Sequence, residues 1–81
     1  MSQNAELTEI KLSGDRVARV VPAIGKHIRL ARKMQLEAGH DYLFALIAQV
    51  TTIDGVGIVP EDLDDLPGRD IARLQAAIEG N

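Results

Sequence analysis

The sequence predicts a small α+β domain, because strand-like alternation near the amino terminus gives way to segments with the period of about 3.6 residues typical of helices. Residues 7–12 end in polar/apolar alternation, and residues 16–21 form a second, Val-rich run. The turn signal Ser-Gly-Asp at residues 13–15 separates the two runs. We therefore expect an amino-terminal β-hairpin that packs on about three helices.

The first helical segment extends over about residues 23–38, and Pro22 is expected in its first turn, where a missing N–H is tolerated. The apolar residues of this segment share one side: Ile24, Ile28, Ala31, Met34 and Ala38. The basic residues gather on the opposite side: Lys26, Arg29, Arg32 and Lys33. Leu30 and Leu36 fall off the apolar stripe, toward the basic side. There they could contact a partner, or they could be ordinary exposed leucines.

The second helix is predicted to be the centre of the core. Residues 42–50 are apolar nearly all round, as in a buried helix, and Asp41 just before them is a favoured N-cap residue. Gly39 is expected to end the preceding helix as its C-cap. The sequence therefore predicts two helices joined by a short turn.

The carboxy-terminal part contains a turn signal and further helical segments. Asp-Gly at residues 54–55 lies between β-branched runs and predicts either a two-rung hairpin or a wide turn. Residues 60–66 begin like a helix, with proline first and Leu63 and Leu66 expected to point inward. A last helix is predicted over about residues 69–79. Its apolar stripe contains Ile71, Leu74 and Ile78.

The composition is that of one folded domain, with 46% hydrophobic and 26% charged residues in a chain of 81. We expect a flexible amino terminus over residues 1–6 and a single domain over residues 7–81. The absence of cysteine excludes disulfides and thiolate zinc sites. The longest apolar run, residues 42–48, is far shorter than the ~20 residues that span a membrane, and no secretion signal is visible. A cytoplasmic location is the default expectation.

The charge is distributed unevenly along the chain. Residues 1–40 carry a formal charge of +3 and residues 41–81 a charge of −6, which gives the overall −3. Such asymmetry indicates two differently charged faces, or copies that stack head to tail, although a chain this short can also be uneven by chance. The overall acidity argues against nucleic acid as a partner.

No pattern of a catalytic, metal or cofactor site is visible. His27 and His40 are the only imidazoles, and no Cys or suitably placed Ser offers a nucleophile for them to activate. The acids in residues 61–65 do not follow the alternate spacing of an EF-hand, because Leu63 interrupts them. Gly55-Val56-Gly57 lacks the further glycine of a dinucleotide-binding loop. We therefore expect a protein that is not an enzyme and that binds no metal or cofactor.

The order of these segments resembles one family. The leading hairpin, the basic helix and the apolar helix are followed by Thr-Ile-Asp-Gly at residues 52–55. Next come Pro-Glu-Asp-Leu-Asp-Asp-Leu-Pro at residues 60–67 and Asp-Ile-Ala-Arg-Leu-Gln-Ala-Ala-Ile at residues 70–78. Together, over about residues 7–79, they resemble the small tail assembly proteins of Mu-like contractile-tailed phages and prophages, a group of tail assembly chaperones.

The resemblance implies a non-enzymatic role during virion morphogenesis. Such proteins are thought to coat the helical tape-measure protein in the host cytoplasm until tail-tube subunits displace them, and they are not expected in the mature virion. An aliphatic surface that accepts amphipathic helices of varied sequence suits this role. The candidate contacts on the first and last helices are Arg29, Leu30, Arg32, Lys33, Met34, Leu36, Ile71, Leu74 and Ile78. Met34, Ile71, Leu74 and Ile78 could equally be core residues.

The sequence also allows self-association and a different function. If copies stack along the tape measure, the basic residues at positions 29, 32 and 33 could face Asp62, Asp64 and Asp65 of a neighbour, and association would be salt-sensitive. The alternative function is a small phage- or plasmid-encoded regulator or inhibitor that binds a host protein, or DNA, through the basic helix.

Overall fold

The computed structural model describes residues 7–79 and shows an α+β domain, which confirms the predicted fold class. The predicted flexible segment, residues 1–6, lies outside the described residues. The strands are β1 (Thr8–Lys11), β2 (Val17–Val20), β3 (Thr51–Ile53) and β4 (Val56–Gly57). The α-helices are α1 (Gly25–Ala38), α2 (Tyr42–Val50) and α3 (Gly68–Glu79), and short 3₁₀ segments occupy Ser13–Asp15 and Pro60–Asp65.

The four strands form one antiparallel sheet in the order β1-β2-β3-β4. The predicted amino-terminal hairpin is β1 paired with β2, and the Asp-Gly signal gives the two-rung hairpin β3–β4. Asp54 and Gly55 both have positive φ, which matches the right-handed twist of the strands. The sequence did not indicate that β2 pairs with β3 and so joins the two hairpins. Asp54 supports this junction, because its side chain accepts a hydrogen bond of 3.0 Å from the Val17 N–H.

The sheet has one buried face and one exposed face. Ile10, Ala18 and Ile53 lie side by side on the buried face. Glu9 and Arg19 lie opposite each other on the exposed face, where their side chains form a salt bridge of 3.1 Å. The strict alternation of the strands sets this division.

Helix α1 begins later than the sequence predicts. Pro22 lies three residues before Gly25, so it ends the strand region rather than starting the helix. Ile24 is the residue before the helix and is 53% exposed, so it does not belong to the buried stripe. The C-cap prediction is confirmed, since Gly39 is left-handed with φ 74° and its N–H donates to the Gln35 carbonyl.

Helix α2 is the central element, as predicted. The Asp41 carboxylate caps it by accepting a hydrogen bond of 3.0 Å from the Phe44 N–H. Ile47 and Val50 pack in the main core, whereas Ala45 and Leu46 contact α1. The main core also contains Leu12, Ala18, Val20, Leu63, Leu66 and Leu74.

The segment after the second hairpin is helical, as predicted, and its type is 3₁₀. It covers Pro60–Asp65, and Leu63 and Leu66 point inward as predicted. The apolar spacing of three residues fits the 3₁₀ period, because side chains three apart lie above one another. Asp62 holds its start, since the carboxylate accepts a hydrogen bond of 3.0 Å from the Val59 N–H. Within residues 7–79, no helix combines the length and apolar character needed to cross a lipid bilayer.

Candidate partner-binding surface

Helix α1 is fixed to the domain through α2. Ala31 is fully buried and packs with Ala45 and Leu46 in a small second core. The Gln49 side-chain amide adds a hydrogen bond of 2.9 Å to the His27 carbonyl. Helix α1 therefore packs on α2 through the side that contains Ala31, and its opposite side is exposed to solvent.

The exposed side of α1 carries a row of basic and apolar residues. Arg29, Lys33 and Leu36 are spaced i, i+4 and i+7, so they follow one another along this side, and we call them the outer row. All three are exposed, and Leu36 is 84% exposed, the largest value among the exposed large hydrophobic residues of the described chain. Neither Arg29 nor Lys33 forms a salt bridge to another described residue. At this exposure Leu36 buries almost no apolar surface when the chain folds, so the outer row is available to a partner.

The other basic side chains of α1 flank this row. Lys26 and Arg32 are also exposed, and the Arg32 guanidinium lies 5.9 Å from the centre of the Tyr42 ring. This cation–π contact directs Arg32 back toward α2. Arg32 therefore contributes less to the outer surface than Arg29 and Lys33.

Leu30 and Met34 form a second apolar pair at the edge of α1. They are one helical turn apart, Leu30 is 45% exposed, and Met34 is half-buried beside the Ala31 contact. The structure thus separates the two predicted leucines, since Leu30 lies at the margin of the α1–α2 contact and Leu36 lies on the outer row.

The candidate contacts on α3 are not on an open surface. Leu74 is fully buried in the main core, so its assignment as a partner contact is corrected. Ile71 and Ile78 are half-buried and pack against the same core. The exposed side of α3 instead contains Ala72 and Ala76, which are small. The stripe predicted from the sequence is therefore mainly the inward side of α3.

An acidic cleft lies at the turn between α1 and α2. It has a volume of about 480 Å³ and opens between residues 39–41, the start of α2 and the Pro60–Asp65 helix. Its carboxylates belong to Asp41, Glu61 and Asp64. Leu43, Phe44 and Pro60 also line it. The cleft is thus lined by both apolar side chains and carboxylates.

The two histidines have different surroundings. His27 Nδ1 accepts a hydrogen bond of 3.1 Å from the Ile24 N–H, so its side chain caps the start of α1. His40 lines the acidic cleft with Nδ1 3.6 Å from a Glu61 carboxylate oxygen. Within the described residues, no group of three or more metal-ligating side chains is gathered.

A buried carboxylate at the start of α3 was not predicted from the sequence. Asp70 is fully buried and accepts hydrogen bonds from the Ser13 N–H at 3.2 Å and the Ser13 hydroxyl at 3.2 Å. Arg73 lies 3.8 Å from the same carboxylate and donates to the Lys11 carbonyl at 3.1 Å. These contacts tie the turn of the first hairpin to α3. An Asp in the first turn of a helix is ordinary, so no local signal marked it as buried.

No protein-family model, curated protein or solved structure matches this chain.

Proposed function

We propose that this chain is a non-enzymatic tail assembly chaperone that binds the tape-measure protein of a phage or prophage during tail assembly. It acts in the host cytoplasm and is absent from the mature virion. The observation that carries the proposal is the outer row, where Leu36 is 84% exposed between basic side chains on a helix held only from its opposite side. The resemblance of residues 52–78 to the small tail assembly proteins supports the same role.

The outer row suits a helical partner of varied sequence. A single leucine surrounded by Arg29, Arg32 and Lys33 offers a small apolar contact, and the long basic side chains cover apolar surface while their charges stay in water. Contacts of this size give moderate affinity, which a chaperone needs in order to be displaced. Leu30 and Met34 extend the apolar surface along one edge of α1.

The test is co-expression with the tape-measure protein of the same phage or prophage. We expect the tape measure to move into the soluble fraction and to carry several copies of this chain through affinity purification. Leu36→Ser should reduce both effects, because it removes the most exposed apolar contact without touching the core. Val56→Ser is the matched control, since Val56 is 65% exposed but lies in edge strand β4 and not on α1. An insoluble tape measure that never co-purifies would contradict the proposal.

A second candidate function follows from the exposed basic side chains. Lys26, Arg29 and Lys33 could contact DNA phosphates, or a host protein, as a small regulator or inhibitor would. Helix α2 cannot serve as the reading helix of a two-helix motif, because Ala45–Ala48 are buried. A gel shift with random duplex DNA separates the candidates. Binding that weakens steeply with salt would favour the regulator, and no binding leaves the chaperone ahead.

A further inference from the structure

The outer row and the acidic cleft are complementary in charge and in shape. The outer row is convex and presents Arg29 and Lys33 beside Leu36. The cleft is concave and is lined by carboxylates together with apolar side chains. Neither surface is neutralised within the described chain, except that Glu61 lies 3.6 Å from His40. One copy thus carries both halves of a contact.

We propose that the outer row of one copy docks in the acidic cleft of a second copy. In this contact Lys33 and Arg29 lie beside Glu61 and Asp64, and Leu36 covers the apolar lining formed by residues 43–44 and Pro60. A cleft of about 480 Å³ has room for a leucine and the stem of a neighbouring basic side chain. The inference goes beyond the proposed function, because it concerns copies of this chain alone. Both contacts use the outer row, so a copy whose outer row is docked in another copy is not bound to a tape-measure protein through that row at the same time.

The charges determine which surfaces can meet. Two outer rows would place like charges together, and so would two clefts, whereas the row and the cleft attract each other. The contact is therefore between unlike surfaces, and each copy still offers one free surface after the first contact forms. Chains of copies can grow in this way.

The contact is expected to be weak and sensitive to salt. Exposed salt bridges contribute little, and salt screens them over about 10 Å at 0.1 M ionic strength. Burying Leu36 on the apolar lining adds a contribution that salt does not screen, and in a contact this weak both contributions are needed for association. We therefore expect association that depends on protein concentration and is lost in high salt.

Sedimentation velocity of the full chain at low and high salt tests this inference. The wild-type chain should form species larger than the monomer at low salt and revert to monomer at high salt. Lys33→Glu and Glu61→Lys should each weaken association by more than about tenfold, since each places like charges together. Lys11→Glu and Glu9→Lys, both on β1 and away from the cleft, are matched controls that should associate like the wild type. Circular dichroism should show every variant folded, because all four positions are exposed.

Mixing the two reversed variants provides the sharper test. The unchanged outer row of the Glu61→Lys copy can dock in the unchanged cleft of the Lys33→Glu copy, and the reversed charges at positions 33 and 61 also attract each other. The mixture should therefore associate more strongly than either variant alone. A wild-type chain that stays monomeric at low salt and high concentration would overturn the inference, and so would a mixture that stays monomeric. The tape-measure protein is absent from this assay, so its failure leaves the co-expression result unaffected.

Discussion

At the scale of single residues, Asp70 is buried and connects two distant segments, although nothing in the sequence distinguishes it from a solvent-exposed carboxylate. Asp70 belongs to a polar, helix-starting stretch, and a solvated carboxylate is the ordinary interpretation of such a residue. Its burial depends on Ser13, 57 positions away in the chain, which only the fold brings near. The candidate contact Leu74 shows the same limit, because spacing identifies a stripe on a helix but not whether the stripe faces a partner or the core.

Asp70→Asn should lower the free energy of unfolding by about 1–2 kcal/mol, because it replaces the charge-assisted hydrogen bonds that Ser13 donates with weaker neutral ones and places an amide NH₂ donor in a buried site. Denaturant unfolding measures the change. Asp65→Asn is the control, since Asp65 is exposed and should change stability by less than about 0.5 kcal/mol. Equal stability of the two variants would show that the Asp70 contacts do not hold the hairpin to α3.

Thr51→Val is expected to stabilise the protein. Thr51 is 3% exposed, and its hydroxyl has no hydrogen-bond partner among the described residues. Valine has nearly the same shape and keeps the β-branched side chain that a strand favours, so the change removes an unsatisfied polar group at a gain of about 1 kcal/mol. Thermal unfolding should show a higher midpoint. A lower midpoint would mean that the hydroxyl has a partner, such as bound water.

At the scale of elements, local signals in the sequence predicted most helices and turns. Asp41, Gly39 and the Asp-Gly pair each act on their own neighbours, and the structure confirms all three. The predicted start of α1 was too early, because proline is favoured at the start of a helix but is also tolerated after a strand. The helical start predicted at residues 60–66 is a 3₁₀ helix over Pro60–Asp65, and the sequence did not indicate its type because proline and acids begin α- and 3₁₀-helices alike.

Gly39→Ala should destabilise the protein by about 1 kcal/mol, because the left-handed backbone at this C-cap disfavours any side chain. A Cβ there meets no atom within 4 Å, so the cost is one of backbone conformation and not of crowding. Gly57→Ala is the control, since a Cβ at Gly57 also meets nothing and its φ is not positive. If both variants lose the same stability in denaturant unfolding, the cap explanation is incorrect.

At the scale of the whole molecule, the feature that the sequence did not predict is the pairing of segments that lie far apart in the chain. Both hairpins were predicted, but the β2–β3 pairing that makes one sheet joins residues more than 30 positions apart and has no local signature. The charge asymmetry was visible in the sequence, and the fold places the opposite charges on the outer row and at the acidic cleft. Leu36 was predicted off the apolar stripe, and the structure confirms that it is exposed.

The proposed function requires that the exposed side of α1 binds a helical segment of a tape-measure protein. We would measure it by titrating the isotopically labelled chain with a peptide from one amphipathic helix of that protein and following backbone amide chemical shifts. We predict shifts concentrated on α1 around Leu36, Lys33 and Leu30, and their loss in Leu36→Ser. Shifts confined to the exposed face of the sheet, or no shifts at millimolar peptide, would contradict it.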